Sequence, residues 1–168
     1  LVNGEWNRKD IKGFDVQKAY GAIKKNAFHE PESFEEYKNG KGRRALNSYL
    51  KYGYIPLEDS VKEAFHTCEQ VSRTLEYAYD DYTIAQMAKA LGKMDDYNYF
   101  MKRAGFYKNI YDPETGFMRG RDSQGNWRTP FDPQGFVQGG DFTEGTSWQY
   151  SWYVPHDVPG LIQLMGGK

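Results

Sequence analysis

Apolar positions recur at three- and four-residue spacing along several stretches of the chain, separated by polar or glycine-rich segments. Val16, Ala19, Tyr20 and Ile23 share a face behind Asp15, which predicts a helix from an Asp15 N-cap to about Asn26. Residues 31–42 carry many charges and two glycines. They read as a solvated connector with a short helical turn around Phe34 to Tyr37. Arg44 to Tyr52 brings Ala45, Tyr49 and Tyr52 together ahead of Gly53 in a C-capping position, and Tyr54-Ile55-Pro56 reads as extended. The clearest pattern is Ser72 to Leu91, where Leu75, Tyr79, Tyr82, Met87 and Leu91 lie near one stripe and Gly92 is the stop. Asp95 is the expected cap of the next helix, with Tyr97, Phe100, Met101, Ala104 and Tyr107 on its buried side. Residues 1–13 show no usable periodicity.

The pattern changes over residues 112–140, which are rich in Gly, Pro, Asp and Asn. Turns and a short hairpin of Phe117–Arg119 against Asn126–Arg128 are expected there. Two further helices follow, about Gly145 to Tyr153 and Asp157 to Met165. Asp157 caps the second, with Pro159 in its first turn. Two of the helices end in Gly-Lys, at Gly92-Lys93 and Gly167-Lys168. The shared ending suggests repeated helix pairs that bury their stripes by stacking in a solenoid, bundle or ring. The predicted fold class is all-α, with an irregular or short β-hairpin insertion near 112–140.

Composition narrows the function. At 168 residues the chain suits a single domain, since domains run to roughly 100 to 200 residues. A net charge of −1 with dispersed basic residues excludes strong attraction to nucleic acid. Aromatics make up 17% of residues, fourteen of them Tyr, while mean hydropathy is −0.85. The aromatic mass is amphipathic, which suits a polar ligand with flat faces. Cys68 is alone and reads as a small residue within a helix. No apolar stretch has the length of a membrane span. The chain opens at Leu1 with neither an initiator Met nor a signal peptide, so an internal segment is expected.

Candidate chemistry concentrates in Asp141 to Asp157, DFTEGTSWQYSWYVPHD. Glu144 stands beside Gly145 and ahead of Trp148, Tyr150, Trp152 and Tyr153. Sugar CH faces stack on such rings, and their hydroxyls need fixed partners such as Thr146, Ser147 and Gln149. A carboxyl desolvated among rings stays protonated and can act as a general acid. The alternative is a plain helix start, with Thr143 as N-cap and Glu144 in the first turn. Glu76 and Asp80 read as surface acids pairing with Arg73, and one of the adjacent Asp80 and Asp81 is expected to face inward. His156 and Asp157 diverge by about a hundred degrees on a helix, and His29 and His66 are distant in sequence, so no zinc site is expected.

The runs GYIP from Gly53, VSRTLEYAYDDYTIAQMAKALGK from Val71, FMKRAGFYKNIYDPETGFMRGR and DFTEGTSWQYSWYVPHDVPGLIQLMGG resemble glycoside hydrolase family 92, the calcium-dependent exo-acting alpha-mannosidases. The departures are Thr146-Ser147, where the family more often has Asn-Ala, and Tyr82-Thr83, where Trp-Cys is common. Neither removes a carboxylate or a histidine. The resemblance implies part of an (α/α)6 toroid, a single incomplete domain lacking the rest of the ring and an N-terminal β-sandwich. It places Glu144 as the general acid of an inverting mechanism, whose base stands roughly 6.5 to 9.5 Å away. Trp148, Gln149 and Tyr150 become the substrate contacts, on an alpha-mannoside glycan of the alpha-1,2 type. Calcium, a hard cation with oxygen ligands, would help bind the sugar. The base and the calcium ligands are expected outside this chain, so no metal ligand is assigned within it.

It follows that the chain alone is expected to be inactive and prone to self-association, and that the parent enzyme is periplasmic, secreted or on the cell surface. From the residues without the resemblance, a noncatalytic helical-repeat scaffold binding protein or peptide ranks first, and a separate sugar-binding module is the third reading. A scaffold predicts Glu144 on an open surface. A glycosidase predicts a pocket floored by Trp148 or a neighbouring ring.

Overall fold

The structure is a computed structural model that describes residues 13–61, 66–138 and 140–167. Most of the reading of residues 1–13 therefore lies outside the described residues. In chain order the elements are α1 (Val16–Ala27), α2 (Phe34–Lys38), α3 (Leu46–Tyr52), α4 (Gln70–Ala90) and α5 (Met94–Ala104). A 3-10 helix (Gly105–Ile110), β1 (Tyr111–Asp112), β2 (Phe117–Met118), α6 (Ser147–Tyr150) and α7 (Val158–Leu164) follow. The all-α reading with a short two-stranded insertion describes this architecture.

The clearest sequence stripe became the longest helix, and α4 is the element around which the others pack. It lies against α5, the 3-10 helix and α1, so its apolar residues are divided among three clusters. Val71, Leu75 and Ala78 meet Tyr107, Ile110, Met118, Val154 and Leu161. Nearly two turns on, Ile84, Ala85 and Ala88 meet Tyr20, Ala27 and Phe100. Tyr77 joins Leu46, Tyr49 and Ile55. Leu75 is fully buried, so truncation to Ala removes about 2–5 kcal/mol.

Several caps follow the sequence. Asp15 accepts from Lys18 N, Asp157 accepts from Gly160 N, and Gly53 closes α3 in the left-handed region at φ 73°. Other boundaries differ. Lys93, not Asp95, is the N-cap of α5, and Asp95 falls in its first turn, where a negative charge still suits the helix dipole. Cys68 lies in the loop before α4, outside any helix. The expected helix from Gly145 to Tyr153 is only the four-residue α6. The hairpin also forms earlier than predicted. Tyr111 pairs with Met118 and Asp112 with Phe117, while the predicted partners survive as an isolated Arg121–Trp127 bridge and an Arg128 N to Gly120 O bond.

The adjacent acids Asp80 and Asp81 do point apart. Asp81 has no exposure and is held by Arg43 Nη1 at 2.6 Å, Arg103 Nε at 2.7 Å and the Tyr49 hydroxyl at 3.2 Å. Arg73 bonds Glu69 at 3.2 Å, whereas Glu76 meets Tyr153, so the expected pairing of Arg73 with Glu76 and Asp80 does not form.

Candidate active site

The first turn of α4 leaves amide donors with no intrahelical acceptor. Val71 N and Ser72 N direct them to Asp141 O at 3.0 and 3.3 Å, and Glu69 N donates to Gly140 O at 2.7 Å. The loop that leads to Glu144 is thus itself the cap of the central helix. On its other side the Asp141 carboxylate takes two bonds of 2.6 Å from Arg128, in the bidentate geometry that guanidinium favours. Gly120 allows this approach, since a Cβ there would stand 2.5 Å from Asp141 Oδ2.

Thr143 is held at three atoms. Its N–H donates to Ser72 Oγ at 3.1 Å, its hydroxyl lies 3.0 Å from the same oxygen, and its carbonyl accepts from the Tyr150 hydroxyl at 2.8 Å. Glu144 follows with φ at 48°, the left-handed region that costs a non-glycine residue about 1–3 kcal/mol. Gly145 then passes under Tyr150 and Gln149, and a Cβ there would come within 2.9 Å of the Tyr150 ring.

Beyond the turn, Gln149 Oε1 accepts from Thr146 N at 2.9 Å, one arm of a capping box that starts α6 at Ser147. Thr146, not Thr143, is therefore the N-cap. Ser147 Oγ donates to Met118 O, and Met118 N donates to Ser151 Oγ at 2.8 Å, which fixes α6 on β2. Trp148 N donates to Pro133 O, and its indole lies 5.5 Å from the Phe117 ring. Half of the Trp148 surface remains exposed.

The structure accordingly brings Glu144, Trp148, Gln149 and Tyr150 onto one turn and the helix it starts. Glu144 is exposed, so among the described residues the rings do not enclose its carboxyl as the sequence suggested. Its neighbours Phe142 and Gly145 line an open cleft of about 490 Å³, shared with Phe131, Val137, Arg128 and Asp141. Gln149 keeps its amide nitrogen without a partner among the described residues. Tyr150 has its hydroxyl on Thr143 and its ring between Phe142 and Tyr153, at 5.6 and 6.3 Å.

From Tyr153 a line of rings continues through Tyr79 and His156 to Tyr82. Two carboxylates of α4 sit beside it. Burial by surrounding protein raises the pKa of Glu76, although the side chain still reaches solvent, and the Tyr153 hydroxyl at 3.2 Å partly offsets this. Burial likewise raises the Asp80 pKa against the pull of Arg43 at 3.6 Å. His156 is shifted down by burial, with Nε2 3.0 Å from Ala104 O. Asp157 serves α7 as a cap and accepts from the Tyr107 hydroxyl at 2.7 Å. Among the described residues no group of three or more His, Cys, Asp or Glu side chains is placed to hold a metal ion.

Residues 2–168 match the model of the glycosyl hydrolase family 92 catalytic domain. The chain belongs to this family. Among family 92 structures, it is 46% identical to the alpha-mannosidase BT3965 from Bacteroides thetaiotaomicron, with a TM-score of 0.82 over 99% of this chain and 20% of that one. BT3965 has also been solved in complex with mannoimidazole, with 45% identity and a TM-score of 0.83 over the same shares of both chains. The inverting mannosidase BT2199 of the same organism is 39% identical, with a TM-score of 0.80 over 95% of this chain and 20% of its own. An uncharacterized secreted glycosidase of Arthroderma benhamiae is 29% identical over 92% of this chain and 22% of its own length. The chain thus spans about one fifth of these relatives, and its helices are part of a family 92 (α/α)6 toroid.

Sequence reasoning found the turn and its rings but missed Ser72, Arg128 and Asp141, which hold it. Ser72 and Thr143 are 71 residues apart, so no local pattern connects them. The bidentate Arg128–Asp141 pair spans a segment read only as turns.

Proposed function

We propose that this chain supplies the proton-donating half of an inverting exo-alpha-mannosidase active site, with Glu144 as general acid. The observation that carries the proposal is the left-handed backbone of Glu144, set next to a Thr143 that is bonded at both its N–H and its carbonyl; the exposed carboxylate alone would also suit a scaffold, and family 92 membership favours the acid. Backbone strain of this kind persists where the surroundings over-determine it, and it clusters at working sites. The mannosidases among the relatives support the substrate class, and the alpha-1,2 linkage is the type the family resemblance favours.

In this reading Glu144 gives its proton to the departing glycosidic oxygen. Trp148 presents an exposed ring to a sugar face, Gln149 offers its amide nitrogen to a hydroxyl, and Tyr150 contributes its ring edge. The base that activates water lies outside this chain, in an inverting arrangement roughly 6.5 to 9.5 Å from the acid. Calcium would bind sugar hydroxyls through oxygen ligands also outside this chain. The chain forms one part of a catalytic domain, a reading its one-fifth coverage of the relatives supports, and the remaining toroid and an N-terminal β-sandwich are what the family resemblance adds. The secreted relative supports a periplasmic, secreted or surface location.

The test is leaving-group dependence in the full-length polypeptide. Glu144→Gln loses about 10²- to 10⁴-fold on an unactivated alpha-mannobiose, the usual worth of a general acid. It stays within about tenfold of wild type on a dinitrophenyl alpha-mannoside, whose leaving group needs no proton. Equal losses on both substrates would refute the acid role.

A further inference from the structure

We infer that Ser72 and Tyr150 are positioning residues that aim Glu144 by holding the two ends of Thr143. The inference rests on the acid reading of Glu144 and adds to it the device that directs the acid. Ser72 comes from the first turn of α4, the most firmly packed element of the chain, and is 1% exposed. Its hydroxyl donates to Glu69 O at 3.3 Å, which leaves the oxygen to accept both the Thr143 N–H and the Thr143 hydroxyl. Tyr150 reaches back from α6 and binds Thr143 O. That carbonyl belongs to the peptide joining Thr143 to Glu144, so the Tyr150 bond fixes the plane from which Glu144 departs. With one end tied to α4 and the other to α6, rotation about the Thr143 backbone is restricted, which sets the peptide plane from which the left-handed Glu144 departs.

The rest of the loop favours this assignment. The Asp141 carbonyl caps α4 through Val71 N and Ser72 N, and Arg128 holds the Asp141 side chain. Those bonds locate the loop as a whole. Among the described residues, the side chains that bond Thr143, the residue preceding Glu144, are Ser72 and Tyr150. The Tyr150 phenol, already bonded to a backbone carbonyl, is thereby a scaffold group, whatever its ring contributes to the sugar. A misplacement of about 1 Å at a reacting group can cost on the order of 100-fold, so loosening one end of the clamp is a catalytic defect.

Kinetics of Ser72→Ala and Tyr150→Phe in the full-length polypeptide, each on alpha-mannobiose and on dinitrophenyl alpha-mannoside, test the clamp. Each variant is expected to lose about 10- to 100-fold in kcat on the mannobiose, with KM within about twofold, and less than about threefold on the activated substrate. Tyr150→Phe keeps the ring and its packing, so the test stands even if Ser72→Ala fails to fold. Equal loss on both substrates, no loss on the mannobiose, or a rise in KM with kcat unchanged overturns the proposal. Glu144→Gln measured alongside separates the two ideas. If that variant lacks the leaving-group asymmetry the acid reading itself falls, whereas asymmetry there and none in the clamp variants removes the clamp alone.

Discussion

Asp81, within α4, and Glu144, on the loop that caps α4, are acids that the chain treats in opposite ways. At Asp81 the carboxylate is the anchored part: two arginines and a tyrosine surround it, and no surface remains exposed. Around Glu144 the backbone is the anchored part, and the carboxylate is open. A buried ion pair holds elements together because removing one partner strands the other charge. A fastened turn with an open side chain instead keeps a reactive group in place without neutralising it. The aromatic residues differ in the same way, since Tyr49 is sealed against Tyr77 and Phe106 while Trp148 is half exposed beside Phe117.

The contrast is broken most forcefully at the buried site. Asp81→Ala leaves Arg43 and Arg103 without their shared partner and is expected to destabilise by about 3–5 kcal/mol, read as a lower urea midpoint of the full-length polypeptide. A second effect appears on acidification. Burial holds the His156 pKa below its ordinary value near 6.5, against the pull of Asp157 and amid the rings of Tyr79, Tyr82 and Tyr107. The neutral ring therefore contributes stability that is present above about pH 6.5 and lost as pH falls through the lower folded value. Urea midpoints followed from pH 7 to 5 should show that loss in wild type and a flatter course in His156→Phe. Smaller still, Glu144→Gly relieves the left-handed strain and should raise stability by about 0.5–1 kcal/mol while removing activity on mannobiose. Glu144→Gln should shift stability by no more than about 0.5 kcal/mol, as befits an exposed side chain with no folding role.

What the sequence revealed and what it hid divide along the same line. Asp15, Gly53 and Asp157 could be read as caps because each acts on backbone within a few residues. The α4 stripe was visible because periodicity is local, and so was the divergence of Asp80 from Asp81. The partners of Asp81 were not, since Arg43 and Arg103 come from 38 and 22 residues away. The helix predicted over 145–153 failed for a local reason that competed with the aromatic pattern. The capping box of Thr146 and Gln149 starts α6 late, and rings at 148, 150 and 152 follow an alternating spacing that no helix face uses. The hairpin was misplaced because its turn closes at Gly116, at φ 77°, ahead of the turn over residues 120–125 that the predicted pairing required. At the site, residue types identified Glu144 and its rings, while the tie to Ser72 depends on tertiary packing alone.

The central claim is that the Glu144 carboxyl must carry a proton when the sugar leaves. The most direct measurement is the pH profile of kcat/KM on alpha-mannobiose and on dinitrophenyl alpha-mannoside, for wild type and Glu144→Gln in the full-length polypeptide. The account predicts an alkaline limb in the wild-type mannobiose profile that is absent when Glu144→Gln acts on the activated mannoside. An alkaline limb that persists unchanged in Glu144→Gln would contradict it, because the essential acid would then be another residue.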